Sequence, residues 1–207
     1  KEYIFDINNI DKSNIEKDSL KVVSKILGTD NIVKDQINIW PFKKIENVKS
    51  DLLLNNSNLT QFDFLTVKAN KIIFNRKKIV VSKNLIIPKG YTVFINEGTE
   101  IDIINSSFII SYSPIIASGS EEYPINIFSS DSLGQGLAVF NAKNESVFNF
   151  VNFTNLSIPK KNGWELTGAI TFYQSKIIIN NCVFSKNKMG DDFLNIIRSE
   201  FMINNSF

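Results

Sequence analysis

Residues 168 to 206 repeat themselves, and nothing else in the chain constrains its fold as tightly. The segment GAITFYQSKIIINNC, Gly168 to Cys182, is followed by DFLNIIRSEFMINNS, Asp192 to Ser206. The offset is 24 residues throughout (194 minus 170, 203 minus 179). It sets Ile170 over Leu194, Phe172 over Ile196, Ser175 over Ser199, Ile177 over Phe201, Ile179 over Ile203 and Asn180 over Asn204. A fixed period of this length with alternating apolar residues is the pattern of a β-solenoid. Ile170/Phe172 and Ile177/Ile179 read as two short strands per period with a polar corner between them. These four residues, with Leu194, Ile196, Phe201 and Ile203, are expected to point inward, each stacked on its partner.

The same text runs back toward Lys71. Lys71–Phe74, Lys78–Val81, Tyr91–Ile95, Glu100–Ile104, Phe108–Ile110, Pro114–Ile116, Pro124–Phe128, Gly136–Phe140 and Val147–Phe153 are all strand-like. Turn residues such as Pro88, Gly90 and Gly98 separate them. Phe148, Val151 and Phe153 match Ile179, Cys182 and Phe184 at an offset of 31, which leaves 7 additional residues (31 minus 24). These fit Leu156–Trp164, whose Pro, Lys and Gly content predicts a loop; solenoid insertions bulge from one face, often the binding face. The registers also stack Asn149, Asn180 and Asn204. Asparagine tolerates a left-handed corner and its amide can bond the rungs on either side, so a buried amide ladder is expected there.

Residues 1 to about 65 lack the repeat. Ser13–Glu16 has the form of a capping box, and Leu20, Val23 and Leu27 follow on one helical face before Gly28. A helix is predicted over about 14–27, and a strand over Gln61–Val67. We therefore divide the chain into an N-terminal α/β capping segment, 1–69, and a β-helix, 70–207. A cap has a physical use, because the first rung otherwise exposes strand edges and an open core. An independent small domain is the alternative.

The sequence of the second segment resembles right-handed parallel β-helix proteins. The residues that carry the resemblance are Ile87–Tyr91 with Ile95–Thr99, then Ile116–Gly119, Tyr123–Ile125 and Ser129–Asp131, and finally Ile179–Phe184. It covers about 83–207 and implies architecture rather than activity, since such helices serve lyases, hydrolases, adhesins and phage tail proteins. Gly190, Asp191 and Asp192 are locally similar to polygalacturonase-type glycoside hydrolases, which carry Gly-Asp-Asp at a comparable junction. That resemblance implies one carboxylate as acid and one as base. The pattern departs from that family in two ways. Thr167 and Gly168 stand one period before Asp191 and Asp192, where a further Asp is required, and the chain has no histidine.

The missing histidine also removes Ser-His-Asp and Cys-His catalysis and histidine zinc sites. One cysteine, Cys182, permits no intrachain disulfide; it aligns with Ser206 and reads as a small inward residue before it reads as a reactive thiol. A net charge of +2 gives no electrostatic case for nucleic acid. No apolar run reaches the ~18 residues of a membrane span.

Asp191 and Asp192 are thus candidate catalytic residues if the chain is an enzyme. Otherwise they cap a corner or bind Ca²⁺. Trp164, Glu165 and Tyr173 are candidate sugar-binding residues, an aromatic platform with a carboxylate. The alternative for Trp164 is a loop anchor. The expected function is a non-catalytic module of a secreted or cell-surface protein, presenting a carbohydrate-binding face or serving as a rigid display scaffold. The alternative is a polysaccharide hydrolase or lyase with its site partly beyond this chain. Because Phe207 falls inside a repeat, further rungs or a neighbouring chain are expected at that end.

Overall fold

The computed structural model describes residues 21–25, 28, 30, 32–36, 59–161 and 164–207. The chain divides into two compact units, 1–54 and 55–207.

In the first unit, β1 (Lys21–Lys25) pairs antiparallel with β2 (Ile32–Gln36), from Lys21 opposite Gln36 to Lys25 opposite Ile32. This corrects the helix predicted over 14–27 where residues 21–25 are concerned; 14–20 lie outside the described residues. The apolar spacing and capping box argue for a helix locally. Val22 and Val23 are β-branched, however, and the partner strand sets Asp35 and Lys34 opposite them, so both join a ladder. Gly28, read as a helix terminator, has φ +85° in the turn instead. The anchors at Trp40, Phe42 and Leu52–Leu54 also lie outside the described residues.

The second unit opens with a 3₁₀ turn, Leu59–Gln61, and β3 (Leu65–Lys68), which pairs antiparallel with β4 (Lys71–Phe74). The strand predicted over Gln61–Val67 is therefore shorter. Alternation alone suggested a strand through Phe62 and Phe64, yet both lie in a turn and both are buried over the first rung. Phe64 stacks at 5.3 Å on Phe62 and 5.8 Å on Phe74. Together with β3, they close the core and one sheet edge at this end.

From β4 the chain winds through three parallel sheets. β5 (Lys78–Val81) and β6 (Leu85–Ile87) complete the first rung. β7 (Thr92–Asn96), β8 (Glu100–Ile103) and β9 (Ile109–Ser111) form the second. β10 (Ile115–Ser118), β11 (Ile125–Phe128) and β12 (Leu137–Phe140) form the third. The fourth has β13 (Ser146–Asn149) and β14 (Val151–Thr154), a small hairpin of β15 (Lys160–Lys161) and β16 (Trp164–Glu165), and then β17 (Gly168–Tyr173). β18 (Ile177–Asn180), β19 (Val183–Ser185) and β20 (Asp192–Ile197) make the fifth, and β21 (Phe201–Asn204) begins a sixth. The first sheet runs β3-β4-β7-β10-β13-β18-β21, the second β5-β8-β11-β14-β19, the third β6-β9-β12-β17-β20. The fold is mainly β and solenoid-like, with every inter-rung pairing parallel.

Inward residues stack in columns. Leu85, Ile109, Leu137, Ile170 and Leu194 share one register; Ile79, Ile101, Ile127, Phe153 and Phe184 share another. The 24-residue register is observed as expected: Ile170 faces Leu194, Phe172 faces Ile196, Ile177 faces Phe201 and Ile179 faces Ile203. Ile170, Phe172, Ile177 and Ile179 are buried, and Leu194 and Ile196 pack half-buried against the same core. Phe201 and Ile203 keep the register but are 62% and 40% exposed, which corrects their expected burial. No described strand lies on the outer side of β21 in the first sheet to cover them.

The asparagine ladder is present. Asn180 Nδ2 donates to Asn149 Oδ1 at 2.8 Å, and Asn204 Nδ2 to Asn180 Oδ1 at 2.8 Å. Two details differ from the reading. The column is half-buried to exposed rather than buried, because its side chains face outward. The left-handed residue is the next one along: Phe150, Asn181 and Asn205, with φ of 49°, 52° and 47°. The ladder asparagines pair in the sheet, so the corner must turn one residue later. The equivalence of Cys182 and Ser206 also has a cause. Ser206 Oγ accepts from the Cys182 N–H at 3.0 Å and donates to the Asn204 carbonyl at 2.8 Å. Cys182 is buried with Sγ against the Asn180 carbonyl, and burial pushes its thiol above the usual range.

Truncating Phe172 to Ala, which meets Phe148 edge-on at 5.7 Å, is expected to cost about 3–5 kcal/mol by denaturant unfolding. Asn180→Leu, at a half-exposed site, is expected to cost about 1 kcal/mol, since two amide partners are lost to groups that water can reach. A larger loss for Asn180 than for Phe172 would place the stabilisation in the corner instead of the core.

Candidate functional site

The outer face of the second sheet forms an open groove of about 560 Å³. Alternation places it there. Ile125 and Ile127 in β11, and Val151 and Phe153 in β14, point into the core, so Asn126, Phe128, Asn152 and Thr154 point out. Parallel pairing then aligns like with like. Glu100, Asn126 and Asn152 make one column; Asp102, Phe128 and Thr154 make the next.

Asn152 Nδ2 donates to Asn126 Oδ1 at 3.0 Å, and Thr154 Oγ1 meets Ser185 Oγ at 3.1 Å. Phe128, within the second column, is half-buried. Glu100 closes an ion pair with Lys78 at 3.5 Å, while Lys186 and Lys188 stand exposed on the opposite rim. An amide holds two donors and an acceptor with two lone pairs, so each groove asparagine keeps capacity beyond the inter-rung bond. The chemistry is that of a surface for hydroxyl groups.

The loop after β11 builds one wall. Asp102 accepts from Ser130 at both carboxylate oxygens, 2.8 Å from the backbone N–H and 2.7 Å from Oγ. Asp131 accepts from the Asn105 N–H at 2.7 Å, the Leu133 N–H at 2.8 Å, the Ser129 hydroxyl at 2.8 Å and the Gly134 N–H at 3.2 Å. Partial desolvation alone would raise the Asp131 pKa. The N–H groups of Asn105, Leu133 and Gly134 and the Ser129 hydroxyl together outweigh it, and the pKa lies below the usual aspartate value. These bonds explain Ser129–Asp131 as a loop clamp. Asn155, at φ 62°, donates to the Ser129 carbonyl and so fastens the loop to the next rung.

The residues singled out from sequence lie around the third sheet, and they do not converge on one spot. Trp164 and Glu165 form β16, with Glu165 opposite Lys160 and exposed. Asp192 begins β20 opposite Gly168, and Asp191 precedes it; both are exposed, and neither carboxyl has a hydrogen bond or ion pair among the described residues. Tyr173 ends β17, five residues from Gly168, or about 16 Å along the strand. It belongs to an outward aromatic column, 6.2 Å from Phe140, and its hydroxyl accepts from Arg198 at 3.3 Å. Tyr173 is thus far along the strand from the Asp pair.

Gly190 has a structural reason to be glycine. Its φ is +112°, and a Cβ there would stand 2.3 Å from the Ile158 side chain. Ile158, Leu156 and Pro159 are buried, so the first part of the segment predicted as a loop belongs to the rung. The paired residues Lys160–Lys161 and Trp164–Glu165 depart from it, with the Lys160 N–H held by Gln135 Oε1 at 2.6 Å. Among the described residues no group of three Asp, Glu, His or Cys side chains is placed to hold a metal ion. No described helix is long and apolar enough to cross a membrane.

Because Asp131 titrates below its unfolded value, it stabilises the fold above the ordinary aspartate range, and this is lost as pH falls through its folded pKa. The stability gap between wild type and Asp131→Asn should therefore be widest near neutrality and close in acid. A gap that is flat from neutral pH to about pH 2, against a reference aspartate pKa of ~3.9, would remove the clamp.

Scans against protein-family models, curated proteins and solved structures found no match to this chain.

Proposed function

We propose that this chain is a non-catalytic module of a secreted or cell-surface protein, wound as a right-handed parallel β-helix, that binds a carbohydrate chain along the groove of the second sheet. The observation that carries the reading is the Asn126–Asn152 column beside Phe128. It repeats hydroxyl-binding amides at the ~4.8 Å spacing of the rungs, next to an aromatic face. A polymer of repeating hydroxylated units can follow such a track, and rigid columns lose little entropy on binding. Right-handed winding follows the general preference for right-handed crossovers between parallel strands.

A second reading, a polysaccharide hydrolase or lyase, rests on the adjacent, exposed carboxylates of Asp191 and Asp192. Its site would lie partly beyond this chain. Ca²⁺ at the two aspartates would need further ligands from elsewhere. A rigid display scaffold with no glycan affinity is the remaining reading.

A glycan array, followed by calorimetry on the best binder, tests the proposal. Asn126→Leu and Phe128→Ala are each expected to weaken binding about tenfold, or ~1.4 kcal/mol. Asp191→Asn with Asp192→Asn is expected to leave it unchanged. Reducing ends released from polysaccharide by wild type but not by the double Asp variant would select the enzyme reading. An array with no binder would select the scaffold.

A further inference from the structure

The outer face of the first sheet carries an apolar stripe that the solenoid itself does not need. Ile73, Phe94, Ile116, Val147, Ile178 and Met202 share one register, one residue from each rung. Their strand neighbours, such as Ile72, Val93 and Phe148, are buried in the core, so alternation turns the stripe outward. Met202 is exposed and the other stripe residues are half-buried. At ~4.8 Å per rung the stripe is about 24 Å long. A sheet with one face in water is expected to alternate apolar with polar residues, as the second sheet does at Glu100, Asn126 and Asn152. Near-continuous apolar runs belong to strands covered on both faces. Ile177–Ile179 and Phe201–Ile203 are such runs, yet the stripe remains open to solvent.

The stripe has a polar rim on each side. Asn149, Asn180 and Asn204 run along one as the amide ladder. The other rim is charged, and its two ends differ in sign. At the first rung Lys68 and Lys71 stand opposite each other across β3 and β4, both exposed and with no ion pair among the described residues. Lys71 Nζ lies over the Phe94 ring at 5.6 Å. At the other end Glu145, Lys176 and Glu200 immediately precede β13, β18 and β21, two carboxylates to one ammonium. Glu200 pairs with Lys176 and raises its pKa, with a smaller contribution from the charge of Glu145. An apolar centre inside a polar rim is the anatomy of a protein interface.

We propose that this stripe is the interface of a homodimer, in which a second copy of the chain packs face to face with its rungs running in the opposite direction. The charged rim selects both the partner and the orientation. A two-fold axis between the third and fourth rungs sets the first rung of one copy on the sixth of the other. Lys68 and Lys71 then meet the Glu200 end, and the contact occurs twice. The same operation sets Phe94 on Ile178 and Ile116 on Val147, apolar on apolar, and the ladder asparagines on one another. With the rungs in the same direction, the charged rim would face the amide ladder and gain nothing from its charges. Three outward columns about 14 Å across make a footprint small for an obligate interface, so the dimer belongs to the weak, reversible class. The inference does not depend on the second-sheet groove.

Sedimentation velocity of the full chain from ~5 to ~500 µM, the range of weak association, tests it. Wild type is expected to shift reversibly from monomer to dimer. Ile116→Lys, next to the axis, is expected to stay monomeric with an unchanged circular dichroism spectrum. Lys71→Glu and Glu200→Lys, both at exposed positions, should each weaken the dimer about tenfold, since two-fold symmetry counts each change twice. Combined in one chain, they exchange the two charges and should restore it; non-specific aggregation through the stripe would not respond to that exchange. Wild type that stays monomeric across the range, or a dimer that Ile116→Lys leaves intact, would overturn the interface. Failure of the combined variant to regain the dimer would overturn the opposed arrangement. A monomeric wild type that adsorbs to phosphatidylcholine vesicles, and loses this with Ile116→Lys, would overturn the homodimer and assign the stripe to a lipid surface.

Discussion

From β12 onward each strand of the three parallel sheets ends in the same way: the next residue is a non-glycine in left-handed conformation. These residues are Asn141, Phe150, Asn155, Gln174, Asn181, Lys186, Arg198 and Asn205, with φ between 47° and 62°. Such residues are unfavourable for most side chains, and one at nearly every corner must be over-determined by its surroundings. The neighbouring rungs supply that. The N–H of Phe150 bonds the Asn180 carbonyl at 3.0 Å, that of Asn181 the Asn204 carbonyl at 3.0 Å, and that of Gln174 the Ile197 carbonyl at 3.0 Å. With Asn141 on the Tyr173 carbonyl and Asn155 on the Ser185 carbonyl, five of these corners are held by the rung that follows them. Half of the eight are asparagine, the side chain that tolerates this conformation best after glycine. The asparagine-rich composition, which resembles a codon bias, thus has a conformational use at these positions.

Small hydroxyl residues do the second half of the same work. Ser175 and Ser199 each donate to the carbonyl two residues back, at 3.0 and 2.9 Å, while Ser199 Oγ accepts from the Ser175 N–H at 3.0 Å. Ser113 bonds the Pro88 carbonyl and the Tyr91 N–H in the same manner. Backbone groups that leave the ladder at a corner are thereby paired without water, and apolar residues can close directly over them. Stacked residues within one core do the rest, with Phe153 and Phe184 parallel at 5.1 Å and Phe148 edge-on to Phe172.

A fold held in this way leaves its outward columns free to vary, and the groove draws on that freedom. It takes its floor from outward positions in β11 and β14 and sets the Asn126 and Asn152 amides beside the half-buried Phe128.

The alternating apolar text determined the strands from β4 on and the rung register from β13 on, because burial in a parallel stack demands the same residue type at the same position of each rung. It could not determine β1, where local helical spacing lost to a strand partner several residues away. It also paired Ser175 with Ser199 and Asn180 with Asn204 without showing that the bend falls one residue past each asparagine. The sites were less legible still. Asp191 and Asp192 stood out as adjacent carboxylates, while Asn126 and Asn152 are unremarkable in a chain rich in asparagine. What joins Asn126 to Asn152 is the stacking of residues 26 apart onto one face. That distance is fixed by how long each rung is, and rung length varies with every corner loop, so only the folded stack decided which side chains became neighbours.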